Sequence, residues 1–168
     1  AAEELRLLRV AFAQQAQGEL TQDERDLSNI VADFKRDLKA KLSPQNHEVR
    51  YQLGIAFMEQ GLYTEAIEEF SQASKEKGLA LECFSLISYC HRQRRNFKEA
   101  ERWLKKAILL AKDGTDQYYA LEYDLAELCE QTSDRPKALE LFKEILKWDP
   151  GYRDASLKVS SLENSSDS

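Results

Sequence analysis

The sequence predicts an all-α protein, a solenoid of stacked antiparallel helix pairs, and three observations carry that expectation. A ten-residue segment recurs at nearly constant spacing, as it does when one supersecondary unit is stacked repeatedly. Ala, Leu, Glu, Lys and Gln dominate a chain of 168 residues with only three prolines and six glycines, the composition of helices joined by short links. Apolar residues in the flanks of the repeat fall at helical intervals.

The N-terminal extension, 1–42, comes first. Leu5, Leu8 and Phe12 mark a short helix before Gly18. Thr21-Gln22-Asp23-Glu24 then reads as a capping box, whose reciprocal side-chain bonds satisfy the first free amides of a helix. Leu27, Ile30, Val31, Phe34, Leu38 and Leu42 come next with helical spacing, predicting an amphipathic helix over 22–42 that packs on the first repeat. Pro44 separates it from that repeat.

The repeat occupies 47–152. Its first segment, Gly61-Leu62-Tyr63-Thr64-Glu65-Ala66-Ile67-Glu68-Glu69-Phe70, returns as Arg95-Asn96-Phe97-Lys98-Glu99-Ala100-Glu101-Arg102-Trp103-Leu104. It returns again as Ser133-Asp134-Arg135-Pro136-Lys137-Ala138-Leu139-Glu140-Leu141-Phe142. Ala66, Ala100 and Ala138 are equivalent points, at intervals of 34 and 38 residues. Three units are therefore expected, over 47–80, 81–118 and 119–152. The longer interval is placed at Lys112-Asp113-Gly114-Thr115-Asp116, where Gly114 supplies a turn and Thr115 or Asp116 caps the next helix. Pro150 ends the last unit. Ala155, Val159 and Leu162 predict a polar-backed helix over 153–163 that caps the stack. The tail 164–168 is too polar to fold.

Within the units, small and large residues fall in one pattern. Leu53, Gly54 and Phe57 precede Ala66, Phe70 and Ala73; Ile87, Ser88 and His91 precede Ala100, Leu104 and Ala107; Leu125, Ala126 and Cys129 precede Ala138, Phe142 and Ile145. The small residue lets two helix backbones approach, and the large ones fill the groove between them. This pattern resembles the tetratricopeptide repeat (TPR) family. Departures are Arg50 and Glu122 where the family places an aromatic residue early in the first helix, and His91 and Cys129 where it places a tyrosine. The segments Asp33–Leu38 and Tyr51–Phe57 also resemble TPR scaffold proteins of bacterial pilus, motility and polarity machinery. The resemblance implies a right-handed α-solenoid of antiparallel helix pairs, acting as a protein-protein interaction module or scaffold, with no enzymatic activity.

In that family the first helix of each pair lines the concave side, where partner peptides or helices lie. By position, the partner-binding groove is assigned to Tyr51, Gln52, Ile55, Met58 and Glu59, then Leu86, Tyr89 and Arg92, then Tyr123 and Glu127. Its large apolar members fit anchors for a partner's side chains, with Arg92 and the acids fixing register. The alternative is that the helix at 22–42, or a second copy of the chain, covers them as ordinary core. One familiar TPR activity is disfavoured: gripping an acidic chaperone tail needs Lys, Asn and Arg, but Tyr51, Ile55, Ser85, Tyr89, Tyr123 and Glu127 stand at those places. A self-assembling structural element (a homo-oligomer) and a regulatory domain of a larger protein are the competing functions.

Other classes find little support. A net charge of −6 is a poor footprint for nucleic acid. The region 81–112 is locally basic, with eight Lys and Arg against three Glu, and reads foremost as a solvated outer face. Cys83, Cys90 and Cys129 make an odd count without disulfide spacing, which suits buried thiols in a reducing, cytoplasmic setting. No run of eighteen apolar residues occurs, so direct membrane insertion is not expected. The chain starts without Met, and a longer parent protein with its own anchor or targeting signal is compatible with that. His47 and His91 are far apart, and His91 is expected to be a satisfied interior histidine. No HExxH, paired CxxC or glycine-rich phosphate loop is present, so no metal, nucleotide or other cofactor is expected.

Overall fold

A computed structural model describes residues 46–164. The expected N-terminal extension, 1–42, and all but Asn164 of the expected tail lie outside the described residues. Within them there are seven helices and no strand. They are α1 (His47–Glu59), α2 (Tyr63–Ala73), α3 (Lys77–Gln93), α4 (Phe97–Leu110), α5 (Asp116–Gln131), α6 (Arg135–Trp148) and α7 (Ala155–Asn164). Packing is strongest within α1/α2, α3/α4 and α5/α6, each pair also touches the next, and α7 packs on α6. This is an all-α helical repeat closed by a single helix.

Each pair is joined by the same turn. Gly61, Arg95 and Ser133, the first residues of the recurring segment, take positive φ of 74°, 59° and 64°. After each, the chain forms a Schellman motif: Leu62 N–H donates to Phe57 C=O, Asn96 N–H to His91 C=O and Asp134 N–H to Cys129 C=O, at 2.8 to 2.9 Å. The residue that closes one helix is the N-cap of the next, so the link is as short as a helix reversal permits. Asp134 also caps with its side chain, accepting from Lys137 N–H, and Pro136 sits in the first turn of α6, where a missing amide costs nothing.

The link between the second and third pairs is built differently. Gly114 turns the chain at φ 77°, and the Thr115 side chain accepts from Tyr118 N–H at 3.3 Å to start α5. Asn46 does the same for α1, accepting from Val49 N–H at 3.1 Å. After Trp148 the chain leaves helical geometry at Asp149, ahead of Pro150.

Two groups of buried side chains form the core. Phe70, Ile87, Cys83 and Cys90 centre the first, and Leu104, Leu125, Phe142 and Ile145 the second, while Phe84 packs against both and makes them continuous. The small-residue slot holds Gly54, Ser88 and Ala126 in turn, all buried. A Cβ added at Gly54 would lie 2.6 Å from the Phe70 ring. Ser88 uses its hydroxyl instead, donating to Ala100 C=O at 2.7 Å. A second slot varies more widely. Arg50 pairs with Glu69 in the first unit, Phe84 meets Trp103 with ring centroids 5.3 Å apart in the second, and Glu122 and Leu141 occupy the same positions in the third.

Closure at the C-terminal side depends on Tyr152 to Leu162. Ala155 and Leu162 are buried against the second core group, and Val159 packs beside them. Tyr119 stacks on Trp148 at 4.1 Å, and Trp148 meets Tyr152 edge-on at 5.6 Å. Lys158 reaches back to Glu130 at 2.7 Å, and Lys143 to Glu163 at 2.7 Å.

Candidate functional site

The first helices of successive pairs, α1, α3 and α5, frame an open cavity of about 400 Å³. Met58 of α1, Ser85, Leu86, Tyr89 and Arg92 of α3, and Asp124 of α5 form its rim; Ser88, Leu128 and Leu104 of α4 are its buried floor. Helical geometry explains the grouping: 85, 88, 89 and 92 repeat every three or four residues on one face of α3, and 124 and 128 do so on α5. A second opening of about 520 Å³ adjoins it, lined by Tyr89, Arg92, Gln93, Arg95, Phe97 and Gln131. Tyr89 and Arg92 belong to both openings, so these form one groove along α3.

Arg92 is anchored within the protein. Its Nη2 lies 3.1 Å from Glu127 Oε2, and its Nε donates to Gln131 Oε1 at 3.0 Å. The charge that could have met a partner's acid is thus largely offset. Asp124 is held less firmly, with Arg153 Nη1 3.9 Å from its Oδ1. Partial burial pushes the Asp124 carboxyl above the usual range, because the charged form loses hydration. Tyr89 is 46% exposed, its ring edge-on to Tyr63 at 6.5 Å.

The ten residues assigned to the groove from sequence separate into three sets. Met58, Leu86, Tyr89 and Arg92 come together around the cavity, and Glu127 joins them through Arg92. Gln52 and Glu59 are exposed, Gln52 donating to Glu48 at 3.1 Å. Ile55, Tyr51 and Tyr123 do internal packing. Ile55 and Tyr51 lie against the first core group, with the Tyr51 hydroxyl donating to Glu82 at 2.6 Å. Tyr123 is only 5% exposed, its hydroxyl donates to Asp154, and Arg153 lies 4.6 Å over its ring. The segment between α6 and α7 has covered it. The floor residues Ser88, Leu104 and Leu128 were not assigned to the groove from sequence. Ser88 and Leu104 read as core, and the signal that marks the floor is Ser88, too small to fill the space above Leu104.

Histidine and cysteine chemistry is muted. His91 is half-buried and its pKa is lowered by burial. Its Nδ1 is buried without a hydrogen-bond partner among the described residues, so the expectation of a satisfied interior histidine is corrected. All three cysteines are buried, and burial pushes the Cys83 and Cys90 thiols up to about 12, far from the thiolate needed for nucleophilic work. Among the described residues no group of three or more His, Cys, Asp or Glu is placed to hold a metal ion. None of the described helices is long and apolar enough to cross a membrane.

Comparisons place this architecture. The chain resembles the solved structure of MamA, at 20% identity over 89% of this chain and 86% of that one, with a TM-score of 0.65. It also resembles the TPR domain of Arabidopsis OM64, at 18% identity over 72% of this chain and 97% of that one, TM-score 0.58. A third likeness is to the second TPR domain of human RPAP3, solved in complex with the HSP70 peptide SGPTIEEVD, at 20% identity over 72% and 98%, TM-score 0.57. No curated protein sequence matches the chain. The family profile described as tetratricopeptide repeat matches residues 24–79 and again 51–118. With the profile covering more than half of the sequence and the helix pairs stacked one on the next, the chain belongs to the tetratricopeptide repeat family.

Proposed function

We propose that this chain is a non-catalytic protein-interaction module that holds a segment of a partner in the groove along α3. The observation that carries this reading is the cavity framed by Met58, Leu86, Tyr89 and Arg92. A half-exposed tyrosine and two apolar side chains, Met58 and Leu86, surround a floor deep enough to desolvate one large side chain, which is how a few residues come to dominate an interface. TPR membership supports a partner that is protein, and the RPAP3 domain, which is similar in fold, was solved in complex with a peptide.

Photo-crosslinking tests it. A benzoylphenylalanine placed at Ser85 should capture the partner segment, and one placed at Leu109, 83% exposed on α4, should not. Leu86→Ala with Tyr89→Ala should abolish capture at Ser85 while leaving the melting temperature within a few degrees. Capture from both faces, or capture surviving the double substitution, overturns the reading. The assembly of copies through the same groove predicts instead a crosslinked homodimer.

A further inference from the structure

We infer that the groove selects a partner segment presenting a basic side chain, whose cationic head pairs with Asp124 while its aliphatic stem lies between Met58, Leu86 and Tyr89. The inference rests on the groove reading above and deepens it by naming the chemistry of the anchor.

The charges around the cavity carry the argument. Of the carboxylates on the α5 face, Glu127 is closed by Arg92 at 3.1 Å and Glu130 by Lys158 at 2.7 Å. Asp124 lines the cavity and has its nearest described cation, Arg153, at 3.9 Å. That guanidinium lies over the rings of Tyr123 and Tyr152, at 4.6 and 5.2 Å, outside the cavity lining. Asp124 is therefore a weakly partnered anion at the edge of an apolar hollow, a place where an incoming cation gains more than it would in water. On α1, the one basic side chain besides His47, Arg50, is turned into the pair with Glu69.

Shape agrees with charge. An arginine has a planar head that stacks on an aromatic face and a stem of three methylenes that packs on apolar surface. Tyr89 provides such a face and Met58 and Leu86 such a surface, with Asp124 across the cavity. A glutamate or a terminal carboxylate entering the same hollow would meet Asp124 and Glu127, and Arg92 is already occupied. Burial also holds the Asp124 carboxyl above its usual range, so a bound cation should draw it down.

Blocked pentapeptides, acetyl-Ala-Leu-Xaa-Leu-Ala-amide, with arginine, citrulline or glutamate at Xaa, make the test, read by chemical shifts of the ¹⁵N-labelled protein. The arginine peptide should move the amides of Ser85 to Arg92 and of Asp124 to Leu128 saturably. Citrulline, its neutral isostere, should bind at least tenfold more weakly, and glutamate more weakly still. Asp124→Asn should reduce the arginine peptide to the citrulline level, whereas Glu140→Gln, an exposed change on α6, should not. Equal binding of all three peptides in the cavity overturns the cation preference and leaves the groove reading standing. An arginine affinity unchanged in Asp124→Asn overturns it too. If no peptide moves these amides, both readings fail.

Discussion

Arg50 Nη1 lies 2.8 Å from Glu69 Oε2, and this pair fills the slot that Phe84 and Trp103 fill one repeat later. Glu69 is 1% exposed and Arg50 about 10%. Removing one partner of a buried pair strands the other charge, so Arg50→Ala or Glu69→Ala should each destabilise by about 3–5 kcal/mol. Importing the neighbouring solution, Arg50→Phe with Glu69→Trp, should restore most of that loss. Urea unfolding of the two single variants and the double variant measures it; a double variant as weak as the singles would show that the slots are not interchangeable.

Gly54 faces Phe70 so closely that a methyl group there must displace the ring. Gly54→Ala should cost about 1–3 kcal/mol through overpacking, despite a helix-propensity gain of about 1 kcal/mol. Phe70→Leu, the residue that Leu104 supplies opposite Ser88, should offset part of that cost in the Gly54→Ala background. Denaturation midpoints of the two-by-two set decide it.

The turn between paired helices predicts gains. Arg95 and Ser133 hold positive φ with side chains attached, a conformation that costs roughly 1–2 kcal/mol outside glycine. Glycine at either place also loosens the unfolded chain, leaving a net stabilisation of about 0.5–1 kcal/mol for Arg95→Gly or Ser133→Gly. Gly61→Ala should move the other way by about 1 kcal/mol. Thermal melts of the three variants give the signs directly.

His91 sets a pH dependence. Burial lowers its pKa below the ordinary 6.5, so the folded chain resists the proton that the unfolded chain accepts. The stability that depends on neutral His91 is present above about pH 6.5 and is lost as pH falls from there towards the folded value. His91→Phe places at this position the residue found at Phe57 and removes the penalty. The stability difference between variant and wild type should therefore widen in favour of the variant between pH 7 and pH 5. A difference constant with pH would mean that His91 titrates normally.

Two tyrosines of the same sequence pattern should behave unlike a third. Tyr51→Ala and Tyr123→Ala remove rings packed on Phe70 and Phe142 and should each cost roughly 2–4 kcal/mol. Tyr89→Ala, at the open groove, should cost under about 1 kcal/mol. Calorimetry separates the classes.

These contrasts show where the sequence was readable. Helix pairing followed from Ala66, Ala100 and Ala138, because a close backbone crossing tolerates few residue types and so repeats visibly. The break at Gly114 and the cap at Thr115 were legible for the same reason: turn geometry restricts composition. Side-chain exposure was harder. Tyr51, Ile55 and Tyr123 occupy positions that face inward by register, yet Glu82, Phe70 and the Asp154 region close over them. Such contacts join residues 19 to 31 positions apart, and no local pattern encodes them. The cavity floor at Leu104 was hidden for the converse reason, since a core residue beneath a small neighbour looks like any other core residue.

The last helix has a consequence for how this array could be extended. Ala155, Val159 and Leu162 occupy the outer flank of the final pair, the surface on which a following repeat would have to be laid. A complete helix pair spliced in after Asn164 would compete with α7 for that surface, whereas a single helix added there could pair with α7. Lengthening by tandem duplication on this side therefore has to use α7 as the first helix of the added pair or move it outward with the new end.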